Sequence, residues 1–149
     1  MKNLLFIPAV FLFACNQPAA DLSMQSAKEI MQADRDMSTL ASKEGFYPAL
    51  LQYADTNVVK LDDGRLPVIG KQDFSQLVKT KKMFTNLSWE PMKGEASKSG
   101  DIGWTWGNWK FVQADTTLYG VYFTAWKKQT DGSWKFTLDG GNNTPAPAE

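Results

Sequence analysis

The sequence predicts one α+β domain, with helices first and then a long antiparallel meander curving around them. Two observations carry that expectation. Apolar residues recur at helical spacing from Met24 to Ala41, whereas the second half of the chain alternates aromatic and polar residues between glycine-containing turns. All six tryptophans fall between Trp89 and Trp134, inside the alternating half. At 149 residues and 43% hydrophobic, the chain can fill one core and carry short appendages.

In the first helix Ala27, Ile30, Met31, Met37, Leu40 and Ala41 fall on one stripe, with Lys28, Glu29, Gln32, Arg35, Asp36 and Lys43 mostly off it. Gly45 ends that helix. Pro48 sits near the start of a second, short helix reaching about Ala54, with Phe46, Leu50 and Tyr53 on one side. Residues 57–61 and 66–69 read as short strands around the turn Asp62-Asp63-Gly64, and Gly70 precedes a third helix through about Lys79. Four strands follow, over residues 87–97, 102–113, 118–129 and 133–139, with hairpin signals at Ser99-Gly100-Asp101 and Asp131-Gly132. The polar, proline-containing stretch from Asn142 is expected to be disordered. A curved sheet with helices across its concave side leaves a conical cavity, and wide aromatic side chains suit its wall.

Several function classes are excluded by composition. Lys plus Arg and Asp plus Glu balance at 16 each, and no basic stripe of the kind a nucleic-acid binder carries is visible. Lys79, Lys81 and Lys82 form a single cluster, read as a solvated helix end against the alternative of a phosphate site. Histidine is absent, which removes the usual neutral-pH general base, the commonest metal ligand and every Ser-His or Cys-His arrangement. Cys15 is the sole cysteine, so intramolecular disulfides and thiolate zinc sites are excluded. No cofactor and no metal are expected.

Residues 1–14 read as an export leader: Met1-Lys2-Asn3 is a short basic start, and Leu4 to Ala14 is apolar. Eleven helical residues span about 16 Å, roughly half a bilayer core. The run closes on Leu12-Phe13-Ala14-Cys15, which resembles the lipobox of bacterial lipoproteins. The resemblance implies that Cys15 carries a thioether-linked diacylglycerol, its freed amine often acylated too; two or three chains hold stably where one does not. Asn16, rather than Asp, follows the cysteine, which points to a lipid-anchored, periplasm-facing protein of the outer membrane. The expected organisation is a leader at 1–14, a lipidated tether at 15–23, a folded domain at 24–143 and a tail at 144–149.

A second resemblance covers about residues 26–143. The segments Ala33-Asp34-Arg35-Asp36, Gly45-Phe46, Tyr53-Ala54-Asp55, Leu66-Pro67-Val68-Ile69-Gly70-Lys71, Leu87-Ser88-Trp89-Glu90-Pro91, Gly100-Asp101-Ile102-Gly103-Trp104-Thr105-Trp106-Gly107, Trp126-Lys127-Lys128 and Asp131-Gly132-Ser133-Trp134-Lys135 resemble the nuclear transport factor 2-like superfamily, in its SnoaL-like branch classed as a domain of unknown function. The resemblance implies a cone: a curved antiparallel sheet with about three N-terminal helices on its concave face. That fold hosts isomerases, dehydratases, cyclases, ligand binders and structural modules, so it does not specify chemistry.

Six residues are candidates for the cone's interior. Asp34 falls in the middle of the first helix's apolar stripe, where a carboxylate is costly unless hydrogen-bonded or facing a polar cavity. It reads either as a structural acceptor for a Trp N–H or a Tyr hydroxyl, or as an acid whose pKa rises with desolvation. Tyr122, Thr124 and Trp126 share one strand face, which we point inward; Tyr53 would supply a hydroxyl at the rim. In the last strand Lys135, Thr137 and Asp139 lie opposite Trp134, Phe136 and Leu138; the resemblance implies that the Asp139 register looks into the cone while the other face packs on a partner, as in a homodimer. Trp104 and Trp106 share a face opposite Trp109 and Phe111. Laid on this sequence, the general base of ketosteroid isomerase falls at Leu61, one residue before Asp62, its oxyanion-hole Asp near Thr124 and its helix-one Tyr near Asp34, so none is kept. SnoaL-like cyclases use a His–Asp pair that a chain without histidine lacks.

Three readings result: a membrane-anchored binding or interaction module for a small amphipathic ligand, an enzyme of isomerase, dehydratase or hydrolase type using Asp34 and Asp139, or a structural envelope protein whose pocket is vestigial. The anchor has a direct check. Processing should be globomycin-sensitive with palmitate incorporated at Cys15, and unchanged mobility and labelling in Cys15→Ser would sink the lipoprotein reading.

Overall fold

A computed structural model describes residues 20–147; the leader, Cys15 and residues 16–19 of the tether lie outside the described residues. Helix α1 runs Ser23–Glu44 and α2 Phe46–Tyr53; strands β1 (Ala54–Lys60) and β2 (Val68–Ile69) follow, then helix α3 (Lys71–Thr80) and strands β3 (Leu87–Ala96), β4 (Ile102–Val112), β5 (Thr117–Lys128) and β6 (Trp134–Thr144). The sheet order is β2-β1-β6-β5-β4-β3. Helix α1 lies across β3 and β4; of the expected stripe Ile30, Met37 and Ala41 are buried, with Asp34 among them, while Ala27, Met31 and Leu40 are half-buried and Ser26 and Ser38 take buried places beside them. With Leu50, Val58, Phe74, Trp126 and Phe136 they form the core between helices and sheet.

Four details differ from the expectation. The sheet is mixed: β1 pairs in parallel with β6 while the other ladders are antiparallel. Side-chain period carries no information on strand direction, so the tertiary pairing of β1 with β6 settles it. Strand β1 also begins at Ala54 rather than at 57, and β2 shrinks to two residues because Pro67 offers no N–H to a ladder. Strand β6 runs through the expected tail to Thr144, which pairs with Tyr119. Gly141 makes that possible, since a Cβ there would lie 2.4 Å from the Val121 carbonyl oxygen. Gly120 serves the facing strand likewise: a Cβ would fall 2.1 Å from the Trp109 indole, which lies on the bare backbone.

The fourth difference is one of parity. Trp126 pairs with Phe136, but Ala125 pairs with Leu138, leaving Thr137 as an extra residue in a β-bulge. Trp134 and Phe136 therefore point into the core, and Asp139 also points inward from the opposite side of the bulge. Strict alternation would have placed Phe136 and Asp139 on opposite faces.

Both hairpins at one end of the sheet, β3–β4 and β5–β6, form as expected, and the N-terminus of α1 is tied there: Leu22 N–H donates to the Lys98 carbonyl at 2.9 Å and Ser26 Oγ to that of Gly100 at 3.3 Å. The cone opens at the other end, where α1 finishes and Phe46 N–H donates to the Phe84 carbonyl at 2.9 Å.

Candidate functional site

The open end of the cone holds a cavity of about 260 Å³. Its walls are largely aromatic: Phe46 and Tyr47 from α2, Phe84 from the segment before β3, Trp89 from β3, Trp109 from β4 and Tyr122 from β5. Phe46 and Phe84 stack with centroids 5.4 Å apart, and Phe46 meets Trp89 edge-on at 5.9 Å. One end is polar, formed by Lys60, Asp62, Asp63, Thr124 and Asp139, with Gly140 to Asn143 of the lengthened β6 beside it.

Asp34 lies behind the aromatic wall, fully buried. Trp89 Nε1 donates to its Oδ1 at 2.7 Å and the Tyr122 hydroxyl to its Oδ2 at 2.8 Å. One helical turn on, Ser38 Oγ donates to the Trp89 carbonyl at 2.8 Å and accepts its N–H at 3.2 Å. Positions i and i+4 of α1 thus grip the same strand residue. Burial pushes the Asp34 carboxyl up to about 6, while its polar neighbours Thr105, Trp89 and Tyr122 hold it back from a larger rise. The same desolvation, with Asp34 beside it, drives the Tyr122 phenol far above its usual value, so it stays a neutral donor.

On the opposite wall Lys60, 5% exposed, places its ammonium 2.9 Å from Asp62 Oδ1, 3.0 Å from Asp139 Oδ1 and 3.0 Å from the Leu61 carbonyl oxygen. Those three acceptors match the three protons of an ammonium. Thr124 Oγ1 donates to Asp139 Oδ2 at 2.8 Å, so both Asp139 oxygens are engaged too. Burial alone would lower the Lys60 pKa, but Asp139 and Asp62 outweigh it and hold the group above the usual lysine value. Lys60 is a permanent cation here, not a base or an amine nucleophile.

Of the six residues singled out from sequence, Tyr122, Thr124 and Asp139 line this cavity, and Asp34 stands one layer behind Tyr122. Asp34 is the structural acceptor of both a Trp N–H and a Tyr hydroxyl. Trp126 is fully buried in the core, its Nε1 donating to Thr105 Oγ1 at 2.9 Å, and does not reach the cavity. Tyr53 lies away from the rim, in a shallow cleft near the closed end with Glu29, Trp134 and Lys135. Asp34 and Asp139 do not bond one another; each has separate donors. Lys60 was missed, though a signal existed: it shares strand parity with Val58, which is fully buried. The aromatic wall residues Phe46, Tyr47 and Phe84 come together only where the start of α2 meets the segment before β3. Trp104 and Trp106 face outward. Among the described residues, no group of three or more His, Cys, Asp or Glu side chains is arranged to hold a metal ion.

No protein-family model and no curated protein matches the sequence. Solved structures do match in shape. A ketosteroid isomerase-like protein from Erwinia carotovora atroseptica is 15% identical, with 79% of this chain and 95% of that chain covered at a TM-score of 0.63. A nuclear transport factor 2-like protein of unknown function from Shewanella oneidensis is 17% identical (76% and 96% covered, TM-score 0.60), and a CaMKII hub from S. rosetta is 16% identical (79% and 96%, TM-score 0.59). The fold is nuclear transport factor 2-like; at these identities the likeness is one of fold.

Two outcomes test the site's energetics. Between about pH 4 and 6 folded Asp34 keeps a proton that the unfolded chain has released, so its contribution to stability falls as pH rises and levels off above both pKa values. The unfolding free energy of the wild type relative to Asp34→Asn should therefore drop by about 3 kcal/mol from pH 3 to pH 7; a difference independent of pH would refute the raised pKa. Second, Lys60→Met leaves Asp139 buried without its cation and should cost about 3–5 kcal/mol in urea unfolding. Adding Asp139→Asn should recover most of that loss, and simple additivity of the two substitutions would show that the pair is not coupled.

Proposed function

We propose that this chain is a lipid-anchored protein of the bacterial envelope, facing the periplasm, whose cone holds a compact small molecule without transforming it. The observation that carries the reading is the pairing of a real cavity with a polar wall already satisfied. All three ammonium protons of Lys60 are engaged, both oxygens of Asp139 and of Asp34 accept from donors of the protein itself, and among the described residues no buried side-chain nitrogen or oxygen lacks a partner. A general acid or base needs a proton-transfer atom within reach of its substrate. Asp34, the carboxyl shifted toward neutral pH, has Tyr122 between it and the cavity. A volume of about 260 Å³ sits just under the usual 300–1,000 Å³ of small-molecule sites, which suits a ligand of one or two rings.

The anchor fits this arrangement. A tether from Cys15 would enter at Leu22, at the closed end of the cone, and α1's 22 residues span about 33 Å from there to the mouth. The mouth then opens away from the attachment point. The outer face of the sheet exposes apolar side chains beside the Lys93–Glu95 ion pair: Met92 (55% exposed), Ile102 (53%), Trp106 (39%) and Phe123 (44%), with Phe123 stacked on Trp104 at 6.3 Å. We assign that face to a second copy of the chain.

Leu87→Trp, placed to fill the cavity, should abolish the tryptophan-fluorescence response to small aromatic ligands and remove any co-purifying molecule seen by native mass spectrometry, with secondary structure unchanged. Full retention of binding would move the site elsewhere. Sedimentation velocity should show a dimer that Phe123→Lys converts to monomer; a monomeric wild type at micromolar concentration would overturn the assignment of the outer face.

A further inference from the structure

We propose that the ligand of this cavity is a compact organic cation, an amine or quaternary ammonium group on a small apolar body. The inference rests on the cavity being a binding site, and it adds the chemical class.

The charge of the wall is the first reason. The charged side chains lining the cavity are Lys60, Asp62, Asp63 and Asp139, one positive against three negative. The single cation offers a ligand nothing, because all three of its ammonium protons are held by Asp62, Asp139 and the Leu61 carbonyl. An anionic ligand would meet three carboxylates and find no free cationic donor in the lining; of the Asn142 amide's two N–H groups, one already donates to the Asn143 carbonyl at 3.0 Å. Asp34 behind Tyr122 adds further negative charge whenever it is ionised. Arg65, on the same rim loop, is exposed and is not part of the lining.

The aromatic composition is the second reason. Ring faces carry negative quadrupole charge and attract ammonium groups within about 6 Å of the centroid, the more so when water is excluded. Phe46, Phe84, Trp89 and Trp109 all line the cavity, Phe46 stacked on Phe84 and edge-on to Trp89, so a cation held there lies among four aromatic rings. This aromatic cluster already holds one cation at its margin: the Lys81 ammonium sits 5.6 Å from the Tyr47 ring centroid. A neutral apolar ligand would fit the rings but offer nothing to the carboxylates, of which Asp62 and Asp139 share one cation and Asp63 is exposed at the rim, whereas a cation answers both features.

Three probes of matched size separate the alternatives: phenyltrimethylammonium, the neutral isostere tert-butylbenzene, and benzoate, each titrated into the full chain in a neutral, non-aromatic detergent and read by calorimetry and tryptophan fluorescence. The cation should bind at least about tenfold tighter than the neutral isostere, with benzoate weakest. Asp62→Asn, a rim substitution that keeps side-chain shape, should weaken the cation about tenfold while moving tert-butylbenzene by less than about twofold. Phe84→Leu should weaken the cation more than the neutral probe, with circular dichroism reporting that both variants fold. Equal or tighter binding of tert-butylbenzene would overturn the cation while leaving the cavity a binding site. Binding of none of the three, with Leu87→Trp indistinguishable from wild type, would overturn the site and the ligand class together.

Discussion

A carboxylate buried in the middle of α1 is the constraint on which the cone depends. Asp34 has no access to water, and its ionised form is tolerable only because an indole N–H and a phenol are held against it. Those donors come from β3 and β5, strands separated by β4 in the sheet. One side chain therefore fixes the height of the helix over three strands, and Ser38 repeats the grip a turn later on Trp89. The consequence reaches the cavity, because Trp89 and Tyr122 form part of its wall. Their rings stand where they do because their polar tips are spent on Asp34.

The opposite wall is organised by a second buried charge. Lys60 and Asp139 are cross-strand partners on the parallel β1–β6 ladder, and Asp62 brings the rim loop down onto the same ammonium. Removing either member of such a pair strands its partner in a desolvated place, so the group behaves as a unit. It also leaves the polar end of the cavity negative without leaving it unsatisfied. The two walls together make a space whose shape is held by hydrogen bonds and whose electrostatics come from carboxylates that outnumber the one cation.

The fold was legible to the extent that it rests on period and punctuation. The stripe of α1, Gly45, the Asp131-Gly132 turn and the alternating aromatics of β4 and β5 each meant locally what they became. Asp34 stood out because a charge in an apolar stripe has to be answered, and the two kinds of donor anticipated for it are both present. Asp139 was placed correctly by superfamily register, yet the same alternation put Trp134 and Phe136 on the wrong side. The bulge at Thr137 lets all three face inward, and no residue type announces a bulge there. Trp126 and Tyr53 show the reverse problem: inward parity was correct for Trp126, but an inward residue near the closed end of a cone enters the core and never reaches the open cavity.

By itself the sequence determined the order of elements, the helical face that is buried, and the exclusion of histidine chemistry and of intramolecular disulfides, because each is a property of a residue or of its near neighbours. Whether strands β1 and β6 run the same way, how far β6 continues past two glycines, and which side chains share the open end were decided only by tertiary structure. Lys60 illustrates the division. A lysine at the end of a strand is ordinarily solvated, and its shared parity with Val58 is a weak local sign against that. It is buried because Asp139, 79 positions later, arrives beside it in register with Thr124 already bound to its other oxygen. Burial of a charge is a statement about its partners, and partners at that separation are assigned by the fold.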